Sequence, residues 1–470
     1  MTVSVLDVLD HPAGFGPFFA GPSWDRWRAV LKAAFALPMS RRDLRLFKEV
    51  AGDRKPPKRP VRELVCCIGR GGGKDSIASA LATYIATNSD FSRLRPGERG
   101  SVLCLANGRQ QAGIAFRYIL GYFEHVPRLA GLMARPPTNQ RLELTNGAEI
   151  IIGTNSHRMP RGLTLACSIY DECATWRSEE SVSPDFEVDA AVTPGLARFP
   201  GSLKIIISSV YTKTGLLYDK YRTYFGKSDD ETLVVLGTTR QFNQNFDSKI
   251  IERELEKDYE VAAAEYLSIW RTDVSAFLSR EAIAACVVPG RRELPPLPGV
   301  RYFCFVDPSG GSADSMTMAI AHKSGDVAIL DCIRERRPPF SPEAVVAEFC
   351  TLMKAYRLHS CVGDRWGGEF CREPFRKLGI AYNLSDRPAS EIYRDSIASI
   401  NSGKVEILDL SRLTNQLAAL ERRVARSGHE SISHPAGGHD DVANAAMGAL
   451  LLVTSGPQPM KFSQAGLAMI

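Results

Sequence analysis

A glycine-rich turn between an apolar strand and a helix limits the fold of this chain more than any other feature. The strand pattern Leu64–Ile68 enters the turn, and a helical pattern over Ser76–Ala86 leaves it. The turn consists of Gly69, Arg70, Gly71, Gly72, Gly73 and Lys74. Glycines let successive backbone N–H groups face inward, and the next helix adds its positive N-terminal end, so the turn suits an anion. The pattern predicts a loop that holds nucleotide phosphates, with Lys74 extended toward them.

This loop departs from the usual GxxxxGK[ST] spacing at two positions. Ile68 stands where the first glycine is expected, and Asp75 stands where a Ser or Thr hydroxyl normally contacts Mg²⁺. Either Asp75 binds the ion, directly or through water, or the hydroxyl of Ser76 takes over that role. The competing interpretation is a glycine-rich turn that binds no nucleotide.

Short apolar runs alternate with helical patterns on both sides of this loop. Further strands are predicted at Val102–Ala106, Ile150–Gly153, Leu165–Tyr170, Leu203–Ser208 and Leu233–Gly237. Strands that are separated by helices predict a mostly parallel sheet covered on both faces. We therefore expect an α/β P-loop ATPase domain of the ASCE type over residues 61–285, preceded by a helical, basic segment over residues 1–60.

An acidic pair follows one of these strands. The run Leu165–Tyr170 ends in Asp171 and Glu172. This order places one carboxylate near the water shell of a metal ion and the next near an attacking water. An acidic pair that merely caps a helix is the alternative. Together with the loop and the order of the strands, the pair favours ATP hydrolysis.

The clearest interruption of the pattern lies between residues 287 and 299, which include four prolines and two glycines. We expect a linker over residues 286–300, with the domain boundary near residue 295. Three closely spaced strands follow, then a helix and another strand: Tyr302–Val306, Met316–His322, Val327–Ile333, a helix through Val345 and Tyr356, and Ser360–Gly363. This order is expected of a ribonuclease-H-like domain over residues 301–456, with a tail over 457–470, although other α/β folds share it.

Acidic residues in this second half stand at the borders of predicted elements. They are Asp307, Asp364, Asp440 and Asp441, with Asp314 as a weaker candidate. Hydrolysis of a phosphodiester by two Mg²⁺ or Mn²⁺ ions needs such oxygen ligands, converging from distant positions. We choose Asp440 as a ligand and Asp441 as auxiliary, while capping of the helix Val442–Val453 is the alternative for this pair. Arginines at Arg334–Arg337 and Arg365 are candidates for contacts with DNA phosphates.

Several motifs together resemble the large terminase subunit of tailed bacteriophages, over about residues 60–450. They are the glycine loop with Arg70, Ser156 followed by Arg161-Gly162, the run Ile206-Ile207-Ser208-Ser209, the run Asp364-Arg365-Trp366-Gly367-Gly368, and the run Gly437-Gly438-His439-Asp440-Asp441. The resemblance implies a DNA-packaging ATPase joined to a DNA endonuclease.

The resemblance also assigns roles to single residues. It implies that Glu172 is the catalytic glutamate and that Asp171 is the Mg²⁺ partner. Ser208 and Ser209 correspond to a motif that couples to the γ-phosphate of ATP. Arg161 corresponds to an arginine finger supplied to the ATP of a neighbouring subunit, where it would stabilise charge on the transferred phosphoryl group. Arg158 is a second candidate, for which we prefer a surface ion pair.

The partners implied by the resemblance are double-stranded DNA, a portal protein on a procapsid, and a small terminase subunit. A homo-oligomeric ring on the portal is expected, in the host cytoplasm and absent from the mature virion. Two rivals stay open: an ATP-regulated nuclease of DNA repair or recombination, and a non-catalytic assembly protein in which Asp75 marks an inactive ATPase. A helicase is disfavoured, because acids occupy the second half where further ATPase motifs would be expected.

Composition adds limits to these expectations. The net charge of +5 is mild, but nine Lys and Arg face three Asp and Glu between Ser40 and Arg62, as a solvated surface or a nucleic-acid contact. The eleven cysteines show no CxxC pairing, which predicts a reducing cytosol without disulfides. The apolar stretch Ala443–Val453 is too short to span a bilayer, so no membrane is expected. Trp24, Trp27 and Phe35 are predicted to pack in the core or near the adenine.

Overall fold

The computed structural model of the chain describes residues 3–154, 161–176, 184–312, 314–364, 369–424, 430–435 and 438–455. The chain divides into two compact units, Met1–Thr272 and Asp273–Ile470. Each unit holds a mixed α/β sheet, which confirms the predicted two-domain α/β class. Seven residues named in the sequence analysis lie outside the described residues: Ser156, Arg158, Arg365, Trp366, Gly367, Gly368 and Gly437.

The first unit is built on one seven-stranded sheet. Its strands are β1 (Glu63–Ile68), β2 (Gly100–Ala106), β3 (Arg141–Glu143), β4 (Ala148–Thr154), β5 (Thr164–Asp171), β6 (Leu203–Ser208) and β7 (Thr232–Gly237). The helices described in this unit are α1 (Val5–Leu9), α2 (Asp25–Ala34), α3 (Arg41–Ala51), α4 (Lys74–Asn88), α5 (Arg109–His125), α6 (Pro127–Ala130), α7 (Pro184–Ala197), α8 (Gly215–Tyr224), α9 (Thr239–Phe242), α10 (Ser248–Lys257) and α11 (Tyr259–Leu267).

The strand order of this sheet is β3-β4-β2-β5-β6-β1-β7, and only β3 runs antiparallel to its neighbour. Strand β6 lies between the loop strand β1 and the acidic strand β5, which is the arrangement expected of an ASCE-type ATPase. Registers pair Cys67 with Ser208 and Asp171 with Ile207. The carboxyl ends of β1, β5 and β6 therefore meet at one edge of the sheet.

Apolar layers cover both faces of this sheet, as expected of buried parallel strands. The N-terminal helices belong to one of these layers, because Trp27 and Phe47 are fully buried in the same cluster as Leu64. Residues 1–60 were predicted as a separate segment, but the described part of that range completes the core of the first unit. Burial of large aromatic side chains explains this, since each contributes about 1.5–3 kcal/mol when removed from water.

The second unit holds a six-stranded sheet and a three-stranded sheet. Its strands are β8 (Val274–Ala276), β9 (Tyr302–Asp307), β10 (Met316–Ser324), β11 (Val327–Arg336), β12 (Ser360–Gly363), β13 (Ala381–Leu384), β14 (Val405–Glu406), β15 (Glu421–Val424) and β16 (Glu430–Ser433). The helices described in this unit are α12 (Arg280–Cys286), α13 (Pro342–Ala355), α14 (Glu369–Lys377), α15 (Ala389–Asn401), α16 (Ser411–Ala419) and α17 (Asp441–Thr454).

The larger sheet has the order β13-β12-β9-β10-β11-β14. Strands β9, β10 and β11 correspond to the three closely spaced strands predicted from the sequence, and they pair as an antiparallel meander. Strands β12 and β13 continue the sheet in parallel beside β9. This is the strand order of a ribonuclease-H-like fold. Helix α17 crosses this sheet so closely that a Cβ on Gly448 would lie 2.4 Å from the ring of Phe305. The contact fixes the position of α17, whose first residues carry the predicted acids.

The predicted linker and boundary differ from the structure. The division falls between Thr272 and Asp273, because β8 pairs with β15 and because Ile283 of α12 is buried in the second core. The segment after α12 also packs within the second unit: the N–H of Leu294 donates to the carbonyl of Asp331 at 2.8 Å. Proline and glycine mark this stretch as a loop, but its backbone is bonded to the unit that follows it.

Two further observations concern composition. The ten cysteines whose side chains are described are all free and buried. In the described part of the chain, no helix combines the length and the apolar character that crossing a membrane requires.

Candidate active sites

The glycine loop has the backbone conformation that an anion site requires. Gly71 and Gly73 have φ angles of 76° and 82°, in the left-handed region that side chains disfavour. The loop leads into α4, whose first N–H groups have no carbonyl partner within the helix. This conformation turns N–H groups inward and adds the positive end of the helix dipole.

The carbonyl groups of the loop are all held by donors. Lys74 Nζ donates to Ile68 O (2.8 Å), Gly72 N to Gly69 O (3.1 Å), Thr239 Oγ1 to Arg70 O (2.7 Å), Asn243 Nδ2 to Gly71 O (3.0 Å), and Trp27 Nε1 to Gly72 O (2.8 Å). Three of these donors come from α2 and from the region just after β7. Because a peptide plane carries its carbonyl and N–H on opposite sides, fixing the carbonyls also fixes the direction of the N–H groups.

Lys74, Glu172 and Ser209 meet at the carboxyl edge of the sheet. The side chain of Lys74 is 5% exposed. Its Nζ lies 3.3 Å from Glu172 Oε1 and 3.2 Å from Ser209 Oγ. The other carboxylate oxygen, Glu172 Oε2, accepts from Ser208 Oγ and from Ser209 N, each at 3.0 Å. The structure thus brings together four residues that the sequence placed in one site.

The backbone of Glu172 is strained where this side chain enters the site. Its φ of 51° and ψ of 42° lie in the left-handed region. Such a conformation costs a non-glycine residue about 1–3 kcal/mol and persists where surrounding bonds enforce it. Here the N–H of Glu172 donates to Ile207 O at 2.8 Å, which holds the turn against β6. The strained turn aims the carboxylate at Lys74.

Asp171 and Asp75 form a second acidic pair in this site. Burial raises the pKa of Asp171 to about 8, and the charges of Asp75 and Glu172 add to the effect. Burial likewise raises the pKa of Asp75. Asp171 Oδ1 is buried without a hydrogen-bond partner in the described structure, and both side chains line a small cavity of about 10 Å³. A buried carboxylate with an unpaired oxygen, next to a half-buried one, fits a hard cation such as Mg²⁺.

This cavity also bears on the choice between Asp75 and Ser76. Asp75 lines the cavity beside Asp171, whereas Ser76 does not. Of the two, Asp75 is the residue placed to face an ion held by Asp171.

The core positions predicted for the N-terminal aromatic residues are confirmed, but the hydrogen bonds that brace the loop were not predicted. Trp27 was predicted in the core or near the adenine; it is buried and also bonds the loop. Trp24 lies against Gly73, where a Cβ would be 2.9 Å from its ring, and Phe35 packs on Tyr84 in the core. Arg70 forms a 3.1 Å ion pair with Glu265 of α11, which had carried no prediction. No sequence motif marks these donors, although a buried tryptophan needs an acceptor for its N–H.

Arg161 lies at the opposite edge of the sheet from these residues. It stands three positions before β5, whose first residue Thr164 pairs with Gly100 at the start of β2. Strand β5 has eight residues and therefore spans about 26 Å between Arg161 and Glu172. Arg161 lines a cleft of about 580 Å³ with Arg198. It cannot reach the loop of its own chain, so any finger role requires a second copy.

In the second unit, Asp307 and Asp364 lie side by side. Asp307 ends β9, Asp364 follows β12, and these parallel strands are neighbours. The side-chain amide of Asn444 joins them: its Nδ2 donates to Asp307 Oδ2 at 3.0 Å and to Asp364 Oδ2 at 2.7 Å. Asn444 on α17 was not predicted as a site residue.

Burial and mutual repulsion act on these acids. Burial and then the charge of Asp364 raise the pKa of Asp307 well above its usual range, against the hydrogen bond from Asn444. Burial also raises the pKa of Asp364, with a further contribution from Asp440. The pKa of Asp441 rises to about 6, mainly through burial. Such clusters of desolvated carboxylates are found where a cation binds.

The first turn of α17 leaves its two aspartates available. The N–H groups of Val442 and Ala443 donate to Gln416 Oε1 at 2.9 and 3.0 Å. The side chains of Asp440 and Asp441 therefore do not cap these two N–H groups, as the alternative interpretation had required. Asp440 instead accepts from the buried Tyr393 OH at 2.8 Å.

Asp441 is 9% exposed, and its Oδ2 is buried without a hydrogen-bond partner among the described residues. Both aspartates thus stay candidate ligands, and the preference for Asp440 stays a prediction.

The donor atoms of this site fit a hard divalent cation. Among the described residues, no three His, Cys, Asp or Glu side chains are grouped closely enough to hold a metal ion. Instead the amide of Asn444 links Asp307 to Asp364, while Asn444 Oδ1 and Asp441 Oδ2 are buried and unpaired in the described structure. All of these unpaired atoms are oxygens, the ligand type that Mg²⁺ and Mn²⁺ prefer.

Other predicted residues of the second unit have different surroundings. Asp314 is largely exposed and lies 3.4 Å from His439 Nδ1. Arg334 and Arg336, predicted to contact DNA, form ion pairs with Glu293 (2.9 Å) and Glu348 (2.5 Å). Arg337 lies 3.7 Å from Glu335. These arginines are therefore bonded to acids of their own unit.

Comparison with known proteins was made for both sequence and structure. The sequence matches no known protein family and no curated protein. Solved structures do resemble it. The large terminase of bacteriophage HK97 is 17% identical, with a TM-score of 0.39 over 83% of this chain and 91% of that one.

The large terminase of a thermophilic bacteriophage, solved in complex with ADP, is 10% identical, with a TM-score of 0.38 over 92% of this chain and 99% of that one. The large terminase nuclease of the thermophilic phage G20c with bound magnesium is 16% identical, with a TM-score of 0.34 over 38% of this chain and 97% of that one. All three are large terminases. The resemblance predicted from the sequence motifs is thus found again among solved structures.

Proposed function

We propose that this chain is a DNA-packaging ATPase and nuclease of the large terminase type. Its first unit would hydrolyse ATP to move double-stranded DNA into a procapsid, and its second unit would cut concatemeric DNA. The observation that carries the proposal is the presence in one chain of two acidic sites of different design. One surrounds Lys74 at a glycine loop, and the other joins Asp307 to Asp364 on a ribonuclease-H-like sheet.

The first site supplies the groups that ATP hydrolysis needs. The N–H groups at the start of α4, together with Lys74, would bind the phosphates, and the carboxylate of Glu172 would accept a proton from the attacking water. Mg²⁺ would be held by Asp171 with Asp75 and would neutralise phosphate charge. Ser208 and Ser209 hold Glu172 in position through the two 3.0 Å hydrogen bonds.

These contacts also offer a link between nucleotide binding and the sheet. Lys74 is shared between Glu172, Ser209 and the carbonyl of Ile68 in the structure. A γ-phosphate would draw Lys74 toward itself and weaken the ion pair with Glu172. Because Glu172 is bonded to β6 through Ser208 and Ser209, the change would reach that strand. We propose this as the role of the serine pair.

The second site would cut the phosphodiester backbone. Asp307, Asp364 and one or both of Asp440 and Asp441 would hold Mg²⁺ or Mn²⁺, and the ions would activate water and stabilise the leaving oxygen. Tyr393 fixes Asp440, and Gln416 fixes the first turn of α17. ADP is present in one of the similar large terminase structures, and magnesium is present in that of the G20c nuclease.

The partners follow from the same proposal. Arg161 would act on the ATP of a neighbouring copy in a ring on the portal of a procapsid, since its own loop lies at the far edge of the sheet. A small terminase subunit would select the DNA, and assembly would take place in the host cytoplasm, with no copy kept in the mature virion.

Two variants of the purified chain test whether both activities are present and separate. Glu172→Gln removes the proton acceptor and should lower ATP turnover at least about 100-fold while plasmid cutting with Mn²⁺ persists. Asp307→Asn should abolish cutting and leave ATP turnover intact. Glu256→Gln and Asp326→Asn, which change exposed acids of the same two units, serve as matched controls. Full ATP turnover in Glu172→Gln, or normal cutting by Asp307→Asn, would show that the corresponding site is misassigned.

A further inference from the structure

Asn444 occupies an unusual position within the second site. Both hydrogens of its Nδ2 group are used, at 3.0 Å from Asp307 Oδ2 and 2.7 Å from Asp364 Oδ2. The residue is 3% exposed, and its Oδ1 is buried with no hydrogen-bond partner among the described residues. An unpaired buried acceptor costs about 1–3 kcal/mol. The side chain therefore satisfies the two carboxylates while leaving its own oxygen without a partner.

The distances around this amide are those of ordinary hydrogen bonds, and the same spacing separates neighbouring ligand atoms in a magnesium site. Octahedral Mg²⁺ has bonds of about 2.0–2.1 Å, so adjacent ligand atoms lie about 2.9 Å apart. The terminal nitrogen of Asn444 stands at that spacing from both carboxylate oxygens. An oxygen at the same point would be a neighbouring ligand rather than a donor. A half-turn of the amide exchanges nitrogen and oxygen without changing the shape of the side chain.

The charges at the site favour such an exchange. Asp307 and Asp364 are half-buried, and their Oδ2 atoms lie 3.0 and 2.7 Å from the same amide nitrogen, so their two carboxylate charges are held close together and repel each other. The partial positive charge of the amide hydrogens offsets this repulsion when no cation is bound. A cation between the same two oxygens would compete for their lone pairs and would attract the unpaired Oδ1.

We propose that Asn444 is an exchangeable ligand of the divalent cation site. Its amide hydrogens bridge Asp307 and Asp364 in the metal-free protein, and its Oδ1 turns to the cation when the ion binds. Asn444 thereby keeps the two carboxylates together and sets the affinity for the metal. The inference deepens the proposed nuclease function and rests on it.

Metal binding by the full chain tests this role without reference to catalysis. Mn²⁺ is titrated into the protein without nucleotide or DNA, and free Mn²⁺ is measured by electron paramagnetic resonance. The Asp307→Asn chain supplies the background from the ATPase site. Asn444→Leu keeps the shape but has no ligand atom, so its Mn²⁺ affinity should fall at least about 10-fold. Asn444→Asp adds a charged ligand and should bind Mn²⁺ at least about 10-fold more tightly.

Thermal unfolding gives a second reading. Metal-free Asn444→Asp should melt below the wild type, because a third carboxylate is added beside Asp307 and Asp364. Mn²⁺ should raise the melting temperature of this variant more than that of the wild type. Asn401→Asp makes the same change at the exposed end of α15, and it should alter neither the Mn²⁺ affinity nor the melting temperature.

Two outcomes separate failure of this inference from failure of the proposed function. If both Asn444 variants bind Mn²⁺ as the wild type does, or Asn444→Leu binds it more tightly, while Asp307→Asn loses a site, Asn444 is no ligand and the metal site stands. If Asp307→Asn binds as much Mn²⁺ as the wild type, the proposed metal site is wrong and the inference falls with it.

Discussion

At the scale of single residues, the first site depends on side chains that hold backbone groups in place. The glycines allow the loop to adopt its conformation, but the donors Trp27, Thr239 and Asn243 select it by binding its carbonyls. A loop that is held open in this way binds phosphate without first losing conformational entropy. Preorganisation of this kind is a common source of affinity.

Trp27 provides a direct test of this bracing. Trp27→Phe keeps an aromatic ring in the core but removes the hydrogen bond to Gly72 O, which is worth about 0.5–1.5 kcal/mol. We expect ATP to bind about 2- to 10-fold more weakly, measured by titration with a fluorescent ATP analogue. Trp270→Phe is a matched control, since the indole N–H of Trp270 is buried without a partner in the described structure. An equal loss of ATP affinity in Trp27→Phe and Trp270→Phe would contradict a role for the Trp27 hydrogen bond.

At the scale of elements, the second site depends on how α17 begins. Gln416 of α16 accepts from two N–H groups of the first turn, so the helix needs no cap from its own aspartates. Tyr393 of α15 then fixes Asp440, and Gly448 allows α17 to lie directly on Phe305. Three elements that are distant in sequence thus place Asp440, Asp441 and Asn444 beside the ends of β9 and β12.

Removal of the side-chain acceptor of Gln416 should destabilise the first turn of α17. Gln416→Met leaves two buried N–H groups unpaired, and we expect a local loss of about 1–3 kcal/mol in the stability of the first turn of α17. Hydrogen exchange of the amides of Val442 and Ala443 would measure the loss. Plasmid cutting should fall, whereas ATP turnover should stay unchanged.

A control on the same helix is Thr454→Val, which changes a hydroxyl at the opposite end of α17. It should leave exchange at the first turn unaltered. Unchanged exchange in Gln416→Met would mean that the Gln416 contact does not hold the helix start.

At the scale of the whole molecule, the local pattern of apolar and polar residues was enough to predict the strands and the positions of most acidic site residues. Runs such as Leu203–Ser208 and Ser360–Gly363 match strands β6 and β12 to the residue, because short apolar segments between turn residues leave few alternatives. Asp171, Glu172, Asp307 and Asp364 could be placed at strand ends from the same pattern. In the second unit, Asp307 and Asp364 come together because the parallel strands β9 and β12 end at the same edge of their sheet.

Long-range contacts could not be predicted in this way. The boundary was placed too late because the pairing of β8 with β15 joins residues far apart in sequence, and β8 has only three residues. The hydrogen bond from Trp27 to the loop and the position of Asn444 between two acids were missed for the same reason. Each acts through one hydrogen-bonding group on a partner whose position depends on the completed fold. Composition identifies such residues as buried, but it does not identify their partners.

The proposal as a whole assigns movement of DNA to the first unit and cutting to the second. Linear DNA separates these roles, because its entry into a procapsid requires no cut. Glu172 should be essential for entry, whereas Asp307 should not.

The most direct measurement is protection of linear double-stranded DNA from nuclease after incubation with the purified chain, ATP and empty procapsids of the kind that the proposed function requires. We predict that the wild type and Asp307→Asn protect DNA only when ATP is present, and that Glu172→Gln protects none. Failure of the wild-type chain to protect DNA, or protection by Glu172→Gln, would contradict the account.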